Sequence, residues 1–340
     1  MNNPKHHRPL RIPEGSMRTI TLEEHFAPAG FLDGPGRQLK DNLLKAGARG
    51  AKIVEQLGEV GEQRLADMDA AGIDMQVLSL NAPGTEQLAA ADAVPLAREA
   101  NEFLAEAVKK HPTRFAGLAA LPTAVPDKAA VELERTVREH GFRGALINGH
   151  VRGRYLDDQF FWPIFEAAEA LGVPIYMHPT RPPEAVAEAL YGGFSPQVSY
   201  VLSTSGWGWH IETAVHVIRL ILGGVFDRFP KLQIVTGHLG EGLPFMLPRL
   251  DRNLAPAMTG LKRTLGDYLR QNVHYTFGGF NFPATFLDLL LEVGVERIMF
   301  SVDHPYGSMA AARAFLEQIP VSAADRARIA HGNAEKLFNL

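Results

Sequence analysis

Four segments of this chain end in side chains that can bind a metal ion. The segments are TLEEHF at 21–26, PIYMHP at 174–179, IVTGHLGEG at 234–242 and MFSVDHP at 299–305. Each begins with the apolar residues of a buried strand and then changes to carboxylates or imidazoles. Such groups suit Zn²⁺, Mn²⁺ or Fe²⁺, and an incomplete protein ligand set leaves positions for a substrate. The pattern therefore predicts a catalytic metal site.

The first segment indicates which side chains would face the metal. Glu23 and His25 are two residues apart, so their side chains leave a strand on the same side, whereas Glu24 points away and is assigned no direct role. A single histidine or aspartate at a strand end is usually a hydrogen-bonded structural group. The recurrence of such groups on three further strands favours a metal site instead. The residues concerned on those strands are His178, His238 and Asp303.

The elements that must position these side chains alternate along the chain. Eight short apolar strands are mostly followed by helices, including one at about 206–228 and two closing helices from about Ser308 and Ser322. Continuous apolar strands indicate a parallel sheet that helices cover on both faces. We therefore predict an α/β fold of a single domain, a (β/α)8 TIM barrel with an insertion after strand one at about 27–62. An open doubly wound sheet is the alternative, but no glycine-rich phosphate loop follows strand one.

Composition narrows the chemistry further. The 340 residues are 46% hydrophobic and 21% charged, with a net charge of −4 and a pI near 6.4. A surface for nucleic acid or an anionic membrane needs a basic face, so this charge balance argues against both partners. The chain contains no cysteine, which excludes disulfides, thiolate metal sites and a cysteine nucleophile. A tightly held metal would therefore rest on histidine and carboxylate.

The N-terminal segment MNNPKHHRPLRIPEGS has basic residues and prolines but lacks the apolar core of a secretory signal. We predict a flexible tail over residues 1–16 and the barrel over residues 17–340. No stretch of the sequence approaches the ~20 uninterrupted apolar residues of a membrane-spanning helix. These features predict a cytoplasmic protein.

Seven segments between about Arg18 and Leu340 resemble the metal-dependent amidohydrolase superfamily, and within it the aromatic-acid decarboxylases. The segments are LEEHF, LSLNAPG, RFAGLAALP, GFRGALING, PIYMHP, FDRFPKLQIVTGHLGEGLPFMLPRLD and RIMFSVDHPY. That branch includes the γ-resorcylate, 2,3-dihydroxybenzoate, salicylate and 5-carboxyvanillate decarboxylases, with aminocarboxymuconate semialdehyde decarboxylases more distant. Hydrolases of the superfamily typically carry H-x-H on strand one. This chain carries Glu23–Glu24–His25 there, as the decarboxylase branch does.

The resemblance implies one divalent metal ion, Zn²⁺ or Mn²⁺, and a role for each matching residue. The four implied metal ligands are Glu23, His25, His178 and Asp303. His238 would lie beside the metal, and Glu241, three residues further on, would orient it. Because the metal chelates a phenolate and a carboxylate, the implied substrate is a small aromatic acid with an ortho hydroxyl.

Two further residues match positions that meet the substrate across a subunit interface in the family. They are Arg249 and Asn148, and both would imply a homodimer or homotetramer. The alternative for Arg249 is a surface salt bridge at a helix end. The alternative for Asn148 is a capped loop residue.

Two departures from the family pattern bear on the substrate. His304 follows the aspartate where relatives often have Tyr or Trp, so it would place a second titratable ring at the site or pack at its edge. The segment SGWGWH at 205–210 adds Trp207, Trp209 and His210 after strand five. These aromatic residues could form the wall of a flat substrate pocket, with Trp209 in contact with the ring, or belong to the core or an interface.

The reaction implied by the resemblance is non-oxidative decarboxylation. Asp303 would be protonated when substrate binds and would deliver its proton to the carboxylate-bearing ring carbon, while His238 manages a proton of the hydroxyl. The alternative is a metal-dependent hydrolase or hydratase that acts on a lactone, an amide or an unsaturated acid, with Asp303 as base. A catalytically silent barrel is disfavoured because all the site residues are present.

Overall fold

Short parallel strands form the centre of the computed structural model, which describes residues 17–340. The predicted tail at 1–16 lies outside the described residues. Nine strands are found within the described part of the chain. They are β1 Ile20–Phe26, β2 Met75–Leu80, β3 Phe115–Gly117, β4 Ala119–Ala120, β5 Ala145–Asn148, β6 Ile175–His178, β7 Ile234–Thr236, β8 Val273–Thr276 and β9 Ile298–Met299.

The strands close into a ring. β1, β2 and β3 form one parallel sheet, and β4 to β9 follow one another in a second. Only Leu118 separates β3 from β4, and its N–H donates to the carbonyl of Leu78 at 2.9 Å, so the two pieces act as one strand. A parallel bridge between Leu22 and Ser301 joins β1 to the segment after β9. The predicted eight-stranded (β/α)8 barrel is therefore confirmed.

Two layers of apolar side chains hold the barrel together. Along β5, Leu146 faces the barrel interior while Ile147 faces the surrounding helices, as the two-residue period of a strand requires. The same alternation separates Tyr176 from Met177 on β6. The interior cluster also contains Phe338 of the last helix, which packs against one end of the barrel. The outer layer is the larger of the two and fixes the helices on the strands.

Helices surround the strands. Those before β5 are α1 Ala29–Asp33, α2 Arg37–Lys45, α3 Ala48–Gly58, α4 Glu62–Ala71, α5 Ala90–Lys110 and α6 Pro126–His140. Those before β8 are α7 Trp162–Leu171, α8 Glu184–Tyr191, α9 Pro196–Ser203, α10 Gly208–Leu222, α11 Val225–Arg228, α12 Leu243–Asn253, α13 Pro256–Thr259 and α14 Leu265–Gln271. The remainder are α15 Pro283–Val293, α16 Met309–Gln318, α17 Ala323–Ala327 and α18 Asn333–Phe338, with a π-helical turn at Arg328–Gly332.

The helices differ from the sequence predictions at several places, including α12, α13 and α14 between β7 and β8, which were not predicted. Residues 27–62 carry α1, α2 and α3, and the loop after β6 contains α8 and α9, for which the sequence suggested no element. The single helix predicted at 206–228 is two helices, because Gly223 and Gly224 interrupt it and Gly224 adopts a φ of 75°. The closing helices begin as predicted, since Ser308 and Ser322 accept hydrogen bonds at their N-termini. Within residues 17–340 no helix has the length and apolar character needed to cross a lipid bilayer.

Candidate metal centre

Glu23 is a fully buried carboxylate at the C-terminal end of the barrel. A β-bulge interrupts the pairing of β1 just before it, and Glu23 takes a left-handed φ of 64°. Its Oε2 accepts a hydrogen bond from the hydroxyl of Tyr176 at 2.6 Å and from Thr276 at 3.1 Å. Its Oε1 is buried without a hydrogen-bond partner among the described residues. The bulge therefore directs one carboxylate oxygen inwards and leaves it unsatisfied.

Two glycines make room for this carboxylate. A Cβ added at Gly237 would lie 2.6 Å from Glu23 Oε2, and one added at Gly278 would lie 2.8 Å from the same atom. Real Cβ atoms do not approach so closely, so both positions exclude a side chain. The backbone at Gly237 and Gly278 therefore packs directly against this carboxylate, and we call these two glycines the cradle of Glu23.

Three histidines surround the unsatisfied oxygen and the neighbouring aspartate. The Nε2 atoms of His178 and His238 lie 3.7 Å and 3.5 Å from Glu23 Oε1, and His25 Nε2 lies 3.2 Å from Asp303 Oδ1. The rings of His25 and His178 meet edge to face with centroids 4.9 Å apart. The nitrogen and oxygen atoms that the sequence assigned to a metal therefore converge.

The hydrogen bond of His178 leaves its Nε2 free to bind a metal ion. His178 Nδ1 donates to the carbonyl of Pro179 at 2.9 Å, so its Nε2 carries the lone pair that a metal needs. Burial, with the charges of His25 and His238, lowers the pKa of His178 well below its ordinary value and keeps the ring neutral. Burial also raises the pKa of Glu23, which a nearby cation would counteract. The buried unsatisfied oxygen and the neutral imidazole fit a divalent cation.

His238 differs from His25 and His178 because its Nδ1 forms a hydrogen bond with the carboxylate of Glu241. Its Nδ1 is 2.6 Å from Glu241 Oε1, so the two residues lie within hydrogen-bond distance of each other. Burial alone would lower the pKa of His238, but the charges of Glu241 and Glu23 outweigh it and raise the pKa to about 10. The contacts with His238 and with His210 lower the pKa of Glu241 against the opposing effect of its burial. In the absence of a bound cation this pair is an imidazolium and a carboxylate.

Asp303 is the most accessible of these groups. Its side chain is 21% exposed, whereas that of Glu23 is fully buried, so an approaching molecule meets Asp303 first. Glu24 points away from the metal centre, as predicted, and accepts hydrogen bonds from the N–H groups of Val302 at 2.9 Å and His304 at 3.3 Å. These two residues flank Asp303, which adopts a φ of 66°. Glu24 therefore fixes the backbone that carries Asp303.

Two of the predicted substrate contacts lie close to the barrel. Asn148 is 1% exposed at the end of β5, where it pairs with His178 in the sheet, and its substrate role stays a prediction. Trp209 is half-buried in the first turn of α10, and its indole nitrogen is buried without a partner among the described residues. Trp207 is 54% exposed.

The other two predicted contacts lie outside the metal centre. Arg249 is exposed on α12 and forms no ion pair with another described residue, so the salt bridge considered as its alternative is absent there. His304 lines a cavity of about 360 Å³ with residues of α3 and α4, including Arg49 and Lys52, and no residue of the metal centre lines that cavity. Burial, then the charge of Arg64, lowers the pKa of His304 to about 3. This placement does not support a substrate contact by His304 at the metal centre.

Four contributors were missed or left without a role in the sequence analysis. Tyr176 could have been found, because it is two residues from His178 on the same strand face. Thr276 and the backbone contacts of Glu24 carry no local sequence signal. His210 forms a second contact with Glu241, and together with His238 these residues bring one potential ligand atom each to within 4.8 Å of one another.

Comparisons of the sequence and of the structure with known proteins point to the same family. The sequence profile of the amidohydrolase family matches residues 25–340. A γ-resorcylate decarboxylase of Polaromonas sp. is 40% identical over 94% of this chain and 98% of the relative. A dihydroxybenzoic acid decarboxylase from Polaromonas sp., solved with bound manganese and the inhibitor 2-nitroresorcinol, has a TM-score of 0.86 and 38% identity, and 96% of this chain and 98% of that chain are covered. A 5-carboxyvanillate decarboxylase from Novosphingobium aromaticivorans, solved with manganese and 4-hydroxy-3-methoxy-5-nitrobenzoic acid, has a TM-score of 0.86 and 35% identity, with 95% and 96% covered.

Proposed function

This chain belongs to the amidohydrolase family, and we propose that it decarboxylates 2,6-dihydroxybenzoate (γ-resorcylate). It is a metal-dependent, non-oxidative decarboxylase of aromatic acids, a carbon–carbon lyase. The observation that supports the metal-dependent reaction is the unsatisfied Glu23 Oε1 that faces two imidazoles beside the accessible Asp303, and the choice of 2,6-dihydroxybenzoate among ortho-hydroxy acids follows the 40% identical γ-resorcylate decarboxylase. A dihydroxy acid presents the ortho hydroxyl and carboxylate that such a centre can hold.

We assign the metal to four side chains, and Mn²⁺ or Zn²⁺ suits their oxygen and nitrogen atoms. They are Glu23, His25, His178 and Asp303. When bound, the ion acts as a Lewis acid that stabilises negative charge on the carboxylate and the ortho hydroxyl. Glu23 is held for this task by Tyr176 and Thr276, which occupy its other oxygen.

The proton that replaces carbon dioxide comes from Asp303. Its protonated carboxyl donates to the ring carbon that bears the carboxylate, which forms a C–H bond and interrupts the aromatic ring. The C–C bond to the carboxylate then breaks, carbon dioxide leaves and its electron pair restores the ring. A divalent cation beside His238 would oppose its protonation, so in the metal-loaded enzyme the ring, oriented by Glu241, would be a neutral base that takes the proton of the ortho hydroxyl and returns it at the end of the cycle. The net reaction consumes one proton.

A homodimer or homotetramer remains part of the proposal. Arg249 is exposed on α12, and the same helix exposes Phe245 at 77% and Met246 at 44%. Apolar side chains exposed this far are typical of a surface that another molecule covers. We therefore propose that Arg249 reaches the substrate of a partner subunit. The cytoplasmic location stays a prediction.

Proton NMR in D₂O tests the proposed reaction. Manganese-loaded protein is incubated with 2,6-dihydroxybenzoate, 2,3-dihydroxybenzoate, salicylate, 6-methylsalicylate and 5-carboxyvanillate. We expect 1,3-dihydroxybenzene with deuterium at the former carboxyl carbon, and faster conversion of 2,6-dihydroxybenzoate than of the other acids. Faster conversion of another acid would contradict the substrate. No conversion of any acid by protein that holds its metal would contradict the reaction and direct the search to lactones, amides and unsaturated acids.

A further inference from the structure

Glu241 is held by two imidazoles. Its Oε1 is 2.6 Å from His238 Nδ1, and its Oε2 is 2.6 Å from His210 Nδ1. The two rings lie 4.7 Å apart, and Phe280 packs against both. Glu241 is itself 2% exposed, so each of its oxygens depends on a protein donor rather than on bulk water.

His210 uses both of its ring nitrogens. Its Nε2 is 3.2 Å from the carbonyl of Ser205, which can only accept a hydrogen bond. Glu241 Oε2 is a carboxylate oxygen that also only accepts, so Nδ1 must carry the N–H of this contact, and the two contacts together require a hydrogen on both ring nitrogens. The ring is thus fixed at both ends, between the first turn of α10 and the segment after β7.

The segment that carries His238 needs such support. Five consecutive residues have left-handed φ angles: His238 51°, Leu239 53°, Gly240 89°, Glu241 58° and Gly242 82°. A left-handed conformation costs a non-glycine residue roughly 1–2 kcal/mol, and three of these five residues are not glycine. Such a turn persists only when its surroundings hold it in place. Across this turn the contact between His238 and Glu241 is internal, whereas His210 ties the turn to another element.

We propose that His210 is a positioning residue, whose Nδ1–H bond to Glu241 fixes the left-handed turn 238–242 and so directs His238 Nε2 into the metal centre. The proposal rests on the proposed function for its kinetic consequence, because His238 is the group that exchanges a proton with substrate. The geometric part depends only on the contacts of His210, Glu241 and His238. The polar contacts of His210 are to Glu241 and Ser205, neither of which is among the four proposed metal ligands, so it acts through Glu241.

Two substitutions separate the two nitrogens of His210. His210→Asn presents an amide N–H close to the position of Nδ1, whereas His210→Gln presents one close to the position of Nε2. We expect His210→Gln to lower kcat for 2,6-dihydroxybenzoate by about 10- to 100-fold with little change in KM, as outer partners of metal sites typically do. We expect His210→Asn to keep turnover close to that of the wild type. A role of the side chain in folding alone would affect both variants alike.

Low-field proton NMR of the manganese-free protein gives a readout that does not require turnover. The wild type should show two imidazole N–H resonances from the bonds to Glu241. In His210→Asn the resonance of His238 should stay in place, and in His210→Gln it should shift or broaden. An unchanged His238 resonance in His210→Gln would overturn the proposal even if the wild type decarboxylates nothing, so its failure is distinguishable from failure of the proposed function.

Metal content completes the test. Both variants should bind as much Mn²⁺ per chain as the wild type. A loss of one bound ion per chain in both variants would show that His210, His238 and Glu241 form a metal site, which would overturn the positioning role. Equal kcat in the wild type and in His210→Gln would overturn it as well.

Discussion

Two histidines at opposite ends of the barrel are buried to nearly the same extent but differ in charge, because one is cationic and the other is neutral. His238, after the C-terminal end of β7, is 7% exposed, and His274, near the N-terminal end of β8, is 8% exposed. Neighbouring carboxylates outweigh burial and raise the pKa of His238 to about 10. Burial, then the charges of Arg297 and Lys336, lowers the pKa of His274 to about 3. Burial lowers the pKa of both rings, so the difference between them comes from their neighbours, which are carboxylates at His238 and cations at His274.

Backbone strain divides the two ends in the same way. Of seven non-glycine residues with positive φ in the described chain, five lie at the C-terminal ends of barrel strands: Glu23, His238, Leu239, Glu241 and Asp303. At the other end, Asn272 and Asn333 each donate from one amide to two backbone carbonyls. Residues with left-handed φ therefore lie at the end of the barrel where chemistry needs a fixed geometry. Buried amides with all their hydrogen bonds made lie at the other end, where they stabilise the barrel.

The largest effect should come from removing the proposed acid. Asp303→Asn retains the shape of the side chain but has no carboxyl proton to donate, so we expect kcat to fall by about 10³-fold or more. Steady-state decarboxylation by manganese-loaded protein measures it. Asp92→Asn, at an exposed position in the first turn of α5, is the control and should behave like the wild type. Substantial turnover by Asp303→Asn would refute the role of this residue.

A single methyl group in the cradle of Glu23 should weaken metal binding. The Cβ of Gly237→Ala would lie 2.6 Å from Glu23 Oε2, so the carboxylate must move. We expect a loss of Mn²⁺ affinity of about 10- to 100-fold, measured by calorimetric titration of metal-free protein. Gly58→Ala is a matched control, because the nearest atom to its added Cβ is 4.0 Å away. Equal affinity in both variants would show that the cradle is not tight.

The smallest effect is on the pH dependence of stability at the opposite end. The folded pKa of His274 lies near 3, below its ordinary value of 6.5, so the unfolded chain binds the extra proton between these values. This group therefore makes the free energy of unfolding fall as the pH drops below about 6.5, by up to about 1.4 kcal/mol per pH unit. His274→Gln should flatten that slope in urea unfolding between pH 5 and 7.

The same slope in the wild type and in His274→Gln would mean that His274 is not neutral when the protein folds. The two ends of the barrel would then not differ in the way described above.

The sequence predicted the barrel and most of the metal centre because both depend on local patterns. Apolar strands give the alternation, and a carboxylate or imidazole at a strand end is visible in a segment of six residues. His304 shows that a position next to a metal-centre residue in the sequence does not by itself place a side chain at the metal centre. It follows Asp303 directly, but its ring lines the cavity beside α3 and α4.

Contacts between distant elements could not be predicted from such patterns. His210 and Glu241 are 31 residues apart, and Tyr176 reaches Glu23 across 153 residues. Tertiary contacts produce the β-bulge before Glu23 and the left-handed turn at 238–242. Apart from the two glycines in the turn, no residue type in these segments predicts either feature. The burial of Asn148 could not be predicted for the same reason, because it depends on the whole barrel.

The central claim is that the C-terminal end of the barrel, where the residues with left-handed φ lie, binds one divalent ion through Glu23. Calorimetric titration of metal-free wild type and Glu23→Gln with Mn²⁺ tests it most directly, since the amide retains the size of the side chain and removes its charge. We predict one ion per chain in the wild type, and a loss of affinity in the variant that exceeds the ~10- to 100-fold typical of outer partners. Equal affinity and stoichiometry in the two proteins would contradict the account.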